Sequence, residues 1–162
     1  MAHIIIIKSE INGGKTSFLR RLVKVLRARK LRVSGFLAPK KKAGSGRTYY
    51  IEPLGGGRRL KAVETGLSRP KAFPAAFRFA EKKVFREAGK SDLIMIDEAG
   101  PLELKGKGHC RLLKKLLKSF RGTLIVAVRK ELVKAVLRKF GIKKSVVVKK
   151  LSPGEFLKKA GL

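Results

Sequence analysis

Tryptophan is absent from this chain of 162 residues, cysteine occurs once, at Cys110, and histidine twice, at His3 and His109. A single cysteine excludes an intramolecular disulfide, and one cysteine with two histidines leaves no set of soft ligands for a structural zinc. Two tyrosines and no tryptophan, with most of the nine phenylalanines at periodic, buried-looking positions, leave no aromatic platform on which nucleic-acid bases would stack. No stretch approaches the roughly 18 apolar residues that span a bilayer, and no export signal is visible. Internal repeats and linkers are missing as well. Acidic residues are scarce, 11 against 41 Lys and Arg, for a formal net charge of +30 and a sequence pI near 11.2. What remains is a chain that is 44% hydrophobic and long enough to bury a core. One domain over residues 1–162 is expected, monomeric, without membrane contact, in a reducing cytoplasm.

The most informative segment is Ser9 to Ser17, Ser-Glu-Ile-Asn-Gly-Gly-Lys-Thr-Ser, directly after the apolar run Ile4 to Ile7. Gly14-Lys15-Thr16 fits the Walker A pattern, with Ser9 where the leading glycine would stand. Glycines at 13 and 14 permit positive φ, so that successive N–H groups turn inward around phosphate oxygens. Lys15 supplies a charge to the β- and γ-phosphates and Thr16 a hydroxyl to Mg²⁺. The first turn of the following helix adds free N–H groups and its positive dipole end. Nucleotide contacts are therefore expected from Asn12, Gly13, Gly14, Lys15, Thr16 and Ser17. A bare Gly-Lys-Thr also occurs in ordinary glycine turns; the strand before and the helix after favour the phosphate loop. Glu10 would repel phosphate and is expected to face solvent.

A second constellation runs from Asp92 to Leu104, where an apolar strand delivers Asp97 and Glu98 to a turn at Gly100-Pro101. This is the Walker B arrangement: a carboxylate at the C-terminal end of a parallel strand lies in the crevice beside the phosphate loop. Asp97 is the expected Mg²⁺ residue with Thr16. Successive side chains on an extended segment diverge, so Glu98 is aimed toward the γ-phosphate as general base for water. Glu103 either positions a water or is the outward residue of a short extended piece. Arg129, at the end of a strand over Thr123 to Val128, is either an arginine that stabilises charge on the γ-phosphate or one solvated cation among many. His109 beside Cys110 reads as the start of a helix, not as a catalytic pair.

Periodicity organises the rest. Phe18, Leu19, Leu22, Val23 and Leu26 form one face of a helix. Arg32 to Ala38 reads as a strand and Lys40 to Gly46 as a basic loop. Thr48 to Pro53 and Arg58 to Val63 read as an inserted hairpin. Pro74 to Ala88 is a helix with Ala76, Phe77, Ala80, Val84 and Ala88 inward. Helices over Arg111 to Phe120, Glu131 to Phe140 and Pro153 to Ala160 alternate with strands over Thr123 to Val128 and Ser145 to Val148. Such alternation implies a mainly parallel sheet covered on both faces.

In order and spacing, the segment Ile7 to Ser17, then Ser34-Gly35-Phe36-Leu37, then Ile96 to Leu104 resemble the small P-loop nucleoside-triphosphatases that include the cancer-related nucleoside-triphosphatase. The acidic signature Asp-Glu-x-Gly-x-x-Glu falls on Asp97, Glu98, Gly100 and Glu103. The resemblance spans nearly the whole chain. It implies a three-layer α/β domain of the RecA-like P-loop type and broad, Mg²⁺-dependent hydrolysis of ATP, GTP and CTP. Two other classes stay open: a small-molecule or nucleoside kinase, which a large acceptor pocket or a lid would favour, and a basic nucleic-acid-binding P-loop protein with little turnover. The charge suits sequence-independent, salt-sensitive binding of nucleic acid. It also suits a simply solvated surface, since the pairs Arg111/Lys115 and Lys114/Lys118 repel by roughly 0.2–0.5 kcal/mol each along one helix.

Overall fold

A computed structural model describes residues 2–10, 14–66, 68–149 and 152–162. In chain order the elements are β1 (His3–Ser9), α1 (Lys15–Ala28), β2 (Val33–Leu37), β3 (Lys40–Ala43), β4 (Gly46–Pro53), β5 (Leu60–Glu64), β6 (Lys71–Ala72), α2 (Pro74–Ala88), β7 (Leu93–Ala99), α3 (Pro101–Leu104), α4 (Cys110–Ser119), β8 (Thr123–Arg129), α5 (Val133–Lys139), β9 (Val146–Lys149) and α6 (Pro153–Ala160). A 3₁₀ turn, Lys130–Leu132, precedes α5. Five strands run parallel in the order β2-β7-β8-β1-β9. The antiparallel strands β4, β5 and β6 extend the β2 side, and β3 folds onto β4. The inserted hairpin is therefore present, and larger than the sequence pattern suggested.

Side chains on a strand alternate between faces, and here both faces are covered. Ile5 and Ile7 of β1 join Phe18, Leu22 and Leu26 of α1 and Phe156 of α6 in one apolar layer. Ile6 joins Ala80 and Val84 of α2, Leu112 and Leu116 of α4 and Val136 of α5 in the other. The isoleucine run is continuous because a central parallel strand buries both faces. Burial of each such side chain is worth about 1.5–3 kcal/mol. All five residues assigned to the inward face of α1 are buried. On α2, Ala76, Ala80 and Val84 are buried, whereas Phe77 is only partly covered and sides with a cavity described below.

Two local readings change. Lys40 to Ala43 is a strand, not a loop: all four side chains are exposed, and pairing with Arg47, Thr48 and Tyr49 of β4 holds the backbone. Pro101 to Leu104 is one turn of helix, with Pro101 in the first turn, where a missing N–H costs nothing. That turn removes the extended reading of Glu103. Gly35, at φ +110°, lets β2 lie against Met95 of β7. At the opposite side of the sheet, β9 pairs with β1 and ends the strand order. Among the described residues no helix is long and apolar enough to cross a membrane.

Candidate functional site

The switch from β1 to α1 builds one end of the site. Gly14 takes a left-handed conformation, φ 67°, and its carbonyl accepts the Phe18 N–H at 3.0 Å, which starts the helix at Lys15. Among the described residues no side chain caps that helix start, and no acid occupies its first turn. Its N–H groups and dipole are thus available to an anion. Asn12, Gly13 and the side chain of Ser9, all part of the expected loop, lie outside the described residues. Ser17 is exposed and borders the same cavity as Gly14, Lys15 and Thr16. Glu10 faces solvent, as expected, and pairs with Lys130 at 3.1 Å.

Strand β7 delivers the carboxylates. Asp97 is 1% exposed; its Oδ2 accepts from the Thr16 hydroxyl at 2.8 Å and from the Ala38 N–H at 3.0 Å. Burial pushes this carboxyl above the usual carboxylate range, against the opposing pull of those two donors. Between Asp97 and Ala99 the pairing with β8 skips a residue, so Glu98 leaves the ladder and turns into the cavity. There it stands between two cations: Lys15 Nζ lies 3.3 Å from Oε2, and Arg129 Nε donates to Oε1 at 2.8 Å. The rim position of β8 thus places Arg129 against Glu98, and the reading of Arg129 as one solvated arginine among many does not describe it. Lys15, Thr16, Asp97, Glu98 and Arg129, drawn from two strand ends and one helix start, converge.

Glu103 is 3% exposed and both of its oxygens are engaged, Oε2 by the Gly100 N–H and Oε1 by the His109 N–H, each at 2.8 Å. Burial raises this carboxyl as well, against those donations. These two bonds brace the segment between β7 and α4. That segment carries His109, which begins α4 as expected, 5% exposed, with its ring 4.2 Å from Phe36 and 4.8 Å from Phe77 between centroids. Its Nδ1 has no hydrogen-bond partner among the described residues.

Burial pushes the His109 imidazole from 6.5 down to about 3. The unfolded chain therefore takes up the proton first, and stability falls as pH drops from 6.5 toward 3 and is level above. Thermal unfolding of the wild type is expected to shift to lower temperature between pH 6.5 and 5, and His109→Phe to flatten that slope. Equal slopes in the two proteins would contradict a buried neutral imidazole.

Two cavities meet at Glu98. One, of about 330 Å³, is bordered by Lys15, Thr16, Ser17 and Arg20 of α1, by Pro39, Lys40 and Tyr49, and by Glu98 and Arg129. The other, of about 760 Å³, lies between the inserted hairpin, α2 and the Gly100 to His109 segment. It shares Ala38, Tyr49, Glu98 and Arg129 with the first. Sequence reasoning missed Ala38 and the second cavity, because their contacts depend on sheet order and on the hairpin folding back, neither of which periodicity records.

A phosphate-loop helix facing paired carboxylates at the ends of parallel strands defines a small P-loop NTPase. The family model described as NTPase matches residues 4–155, and the chain belongs to that family, whose name states its reaction, the hydrolysis of nucleoside triphosphates. Nucleoside-triphosphatase THEP1 of Hyperthermus butylicus is 29% identical over 134 residues, 78% of this chain and 71% of that protein. The crystal structure of THEP1 from the hyperthermophile Aquifex aeolicus superposes with a TM-score of 0.65 at 18% identity, covering 100% of this chain and 97% of that one. That likeness shows the fold, a three-layer α/β P-loop domain.

Proposed function

We propose that the chain hydrolyses nucleoside triphosphates to diphosphate and phosphate with Mg²⁺ and broad base specificity. The observation that carries the reading is Glu98, held by Lys15 and Arg129 where the phosphate cavity begins. When a triphosphate enters, Lys15 exchanges its pairing with Glu98 for the β- and γ-oxygens. The freed carboxylate then orients a water and takes its proton as the water attacks in line. Arg129 stays beside the γ-phosphate and offsets the charge that develops there.

Hard oxygen donors fit Mg²⁺, which binds through one or two carboxylates together with substrate phosphates and not in an all-protein cage. Thr16 Oγ1 and Asp97 Oδ2, 2.8 Å apart beside the phosphate cavity, are such donors, and no cluster of three or more acidic, histidine or cysteine groups occurs among the described residues. Thr16 and Asp97 would hold the ion, whose chemistry is to neutralise phosphate oxygens. Broad base specificity is supported by the lining of the smaller cavity, where the cations Arg20 and Lys40 accompany the phosphate residues and Tyr49 is the single ring. The charge of +30 supports a second contact, loose binding of nucleic acid that weakens with salt.

The test is phosphate release from ATP, GTP and CTP with Mg²⁺ and with EDTA. Release from all three that needs the metal, and that falls by about 10²–10³-fold in Lys15→Ala, is expected. No release from the unmodified chain would overturn the reading.

A further inference from the structure

Water needs no room, yet the cavity on the far side of Glu98 is more than twice the size of the phosphate cavity, about 760 against 330 Å³. Organic ligand sites occupy roughly 300–1,000 Å³ and combine apolar walls with a few placed polar groups. This one fits that description. Tyr50, Ile51, Val63, Phe77 and Leu102 supply an apolar, partly aromatic wall. His109 belongs to the same wall, its ring beside that of Phe77.

The charges point to the rest of the ligand. Arg69, Lys105 and Lys107 line the cavity, joined by Arg129 at the shared mouth. The acids there are already engaged: Asp97 by Thr16 and Ala38, Glu98 by Lys15 and Arg129, Glu103 by two backbone N–H groups. Surplus positive charge on the acceptor side has no use when the attacking group is neutral water. It is needed when two anions must approach one another, because their repulsion has to be offset.

From these observations we infer that the larger cavity binds a nucleoside monophosphate, and that the chain transfers the terminal phosphoryl of a nucleoside triphosphate to it. The inference rests on the phosphate site proposed above. The base lies on the wall of Tyr50, Phe77 and His109, and the phosphate meets the cations near Glu98. An oxygen of the monophosphate forms a bond to the γ-phosphorus as the bond from that phosphorus to the bridging β,γ-oxygen breaks. The electron pair leaves with the diphosphate, and the products are two nucleoside diphosphates. A phosphate dianion carries no proton to remove, so this transfer does not require a base, whereas attack by water does.

The experiment uses the full chain, Mg²⁺ and ATP labelled in the γ-phosphate, with AMP, GMP, CMP or UMP, reading label in free phosphate and in diphosphate separately. Label is expected in the diphosphate of at least one of the four, and Lys15→Ala is expected to lose both products, which excludes a contaminating kinase. In the double variant Lys105→Glu, Lys107→Glu, at two exposed positions, the ratio of labelled diphosphate to free phosphate is expected to fall about tenfold, the size of roughly 1.4 kcal/mol of lost charge attraction. Free phosphate with no labelled diphosphate would overturn the acceptor site and leave the hydrolase intact. An unchanged ratio in the double variant would overturn the assignment to this cavity. Absence of both products from the unmodified chain would overturn both readings together.

Discussion

Glu98→Gln is expected to lower Mg²⁺-dependent phosphate release by about 10²–10⁴-fold, the usual contribution of a positioned proton acceptor. The amide keeps the shape of the side chain and loses its basicity. Nucleotide affinity should hold or improve, because a negative charge beside the γ-phosphate is removed while Lys15, Thr16 and Asp97 remain. The fold should tolerate the change, since Glu98 is one-fifth exposed and partly exposed ion pairs contribute about 0–1 kcal/mol each. Phosphate release under saturating ATP, with affinity measured on the same preparation by a fluorescent nucleotide, separates the two effects. Full activity in the glutamine variant would remove Glu98 from the role of base. Loss of binding along with activity would recast it as a residue that only positions Lys15 and Arg129.

Gly35→Ala should be strongly destabilising. At φ +110° an L-residue is strained, and a Cβ built there falls 2.0 Å from the Met95 carbonyl oxygen and 2.7 Å from the Met95 nitrogen. Neither is the free end of a flexible side chain; both belong to β7, two residues before Asp97. Relief requires β2 to move away from β7. Backbone strain of about 1–3 kcal/mol and overpacking of about 1–3 kcal/mol sum to a large part of the 5–15 kcal/mol that holds a typical domain together. Urea unfolding should therefore show a midpoint far below that of the wild type, or no folded baseline. Gly89→Ala is the control: its φ is −66° and a Cβ there meets nothing within 4 Å, so a change within about 1 kcal/mol is expected. Similar midpoints for Gly35→Ala and wild type would mean that the two strands part more readily than their packing implies.

The parts of this protein that were legible in its sequence are those whose signal is local. Gly14-Lys15-Thr16 lies between an isoleucine run and a helical apolar stripe, and all three features lie within a few residues of one another. The α1 face and the end-points of α2 and α6 follow from periodicity, Pro at the start and Gly at the stop. Asp97 and Glu98 were found because an apolar strand delivers them to the turn at Gly100-Pro101, in a chain that also carries the phosphate-loop pattern. What escaped was written in relations between distant segments. Lys40 to Ala43 carries no alternation, because both faces of β3 are wet and backbone pairing alone defines it. Glu103 read either as positioning a water or as one outward side chain in an alternating Leu-Glu-Leu, yet its two oxygens answer N–H groups at Gly100 and His109. Arg129 was open between a γ-phosphate role and one solvated cation among many until the parallel register of β7 with β8 set it beside Glu98.

The sheet ends at β9, four residues long, with Val147 turned outward and Lys149 exposed. An edge strand is a template for another chain's strand. Two copies that approach edge to edge, however, bring together bodies that each carry a formal +30. In dilute salt that repulsion reaches tens of ångströms and guards the edge at long range, while at about 0.15 M the screening length shortens to roughly 8 Å. The colloidal behaviour of the protein is thus set by its surroundings as much as by its fold: the same lysines that keep the molecules dispersed in dilute buffer give up that protection when salt screens them or a polyanion covers them.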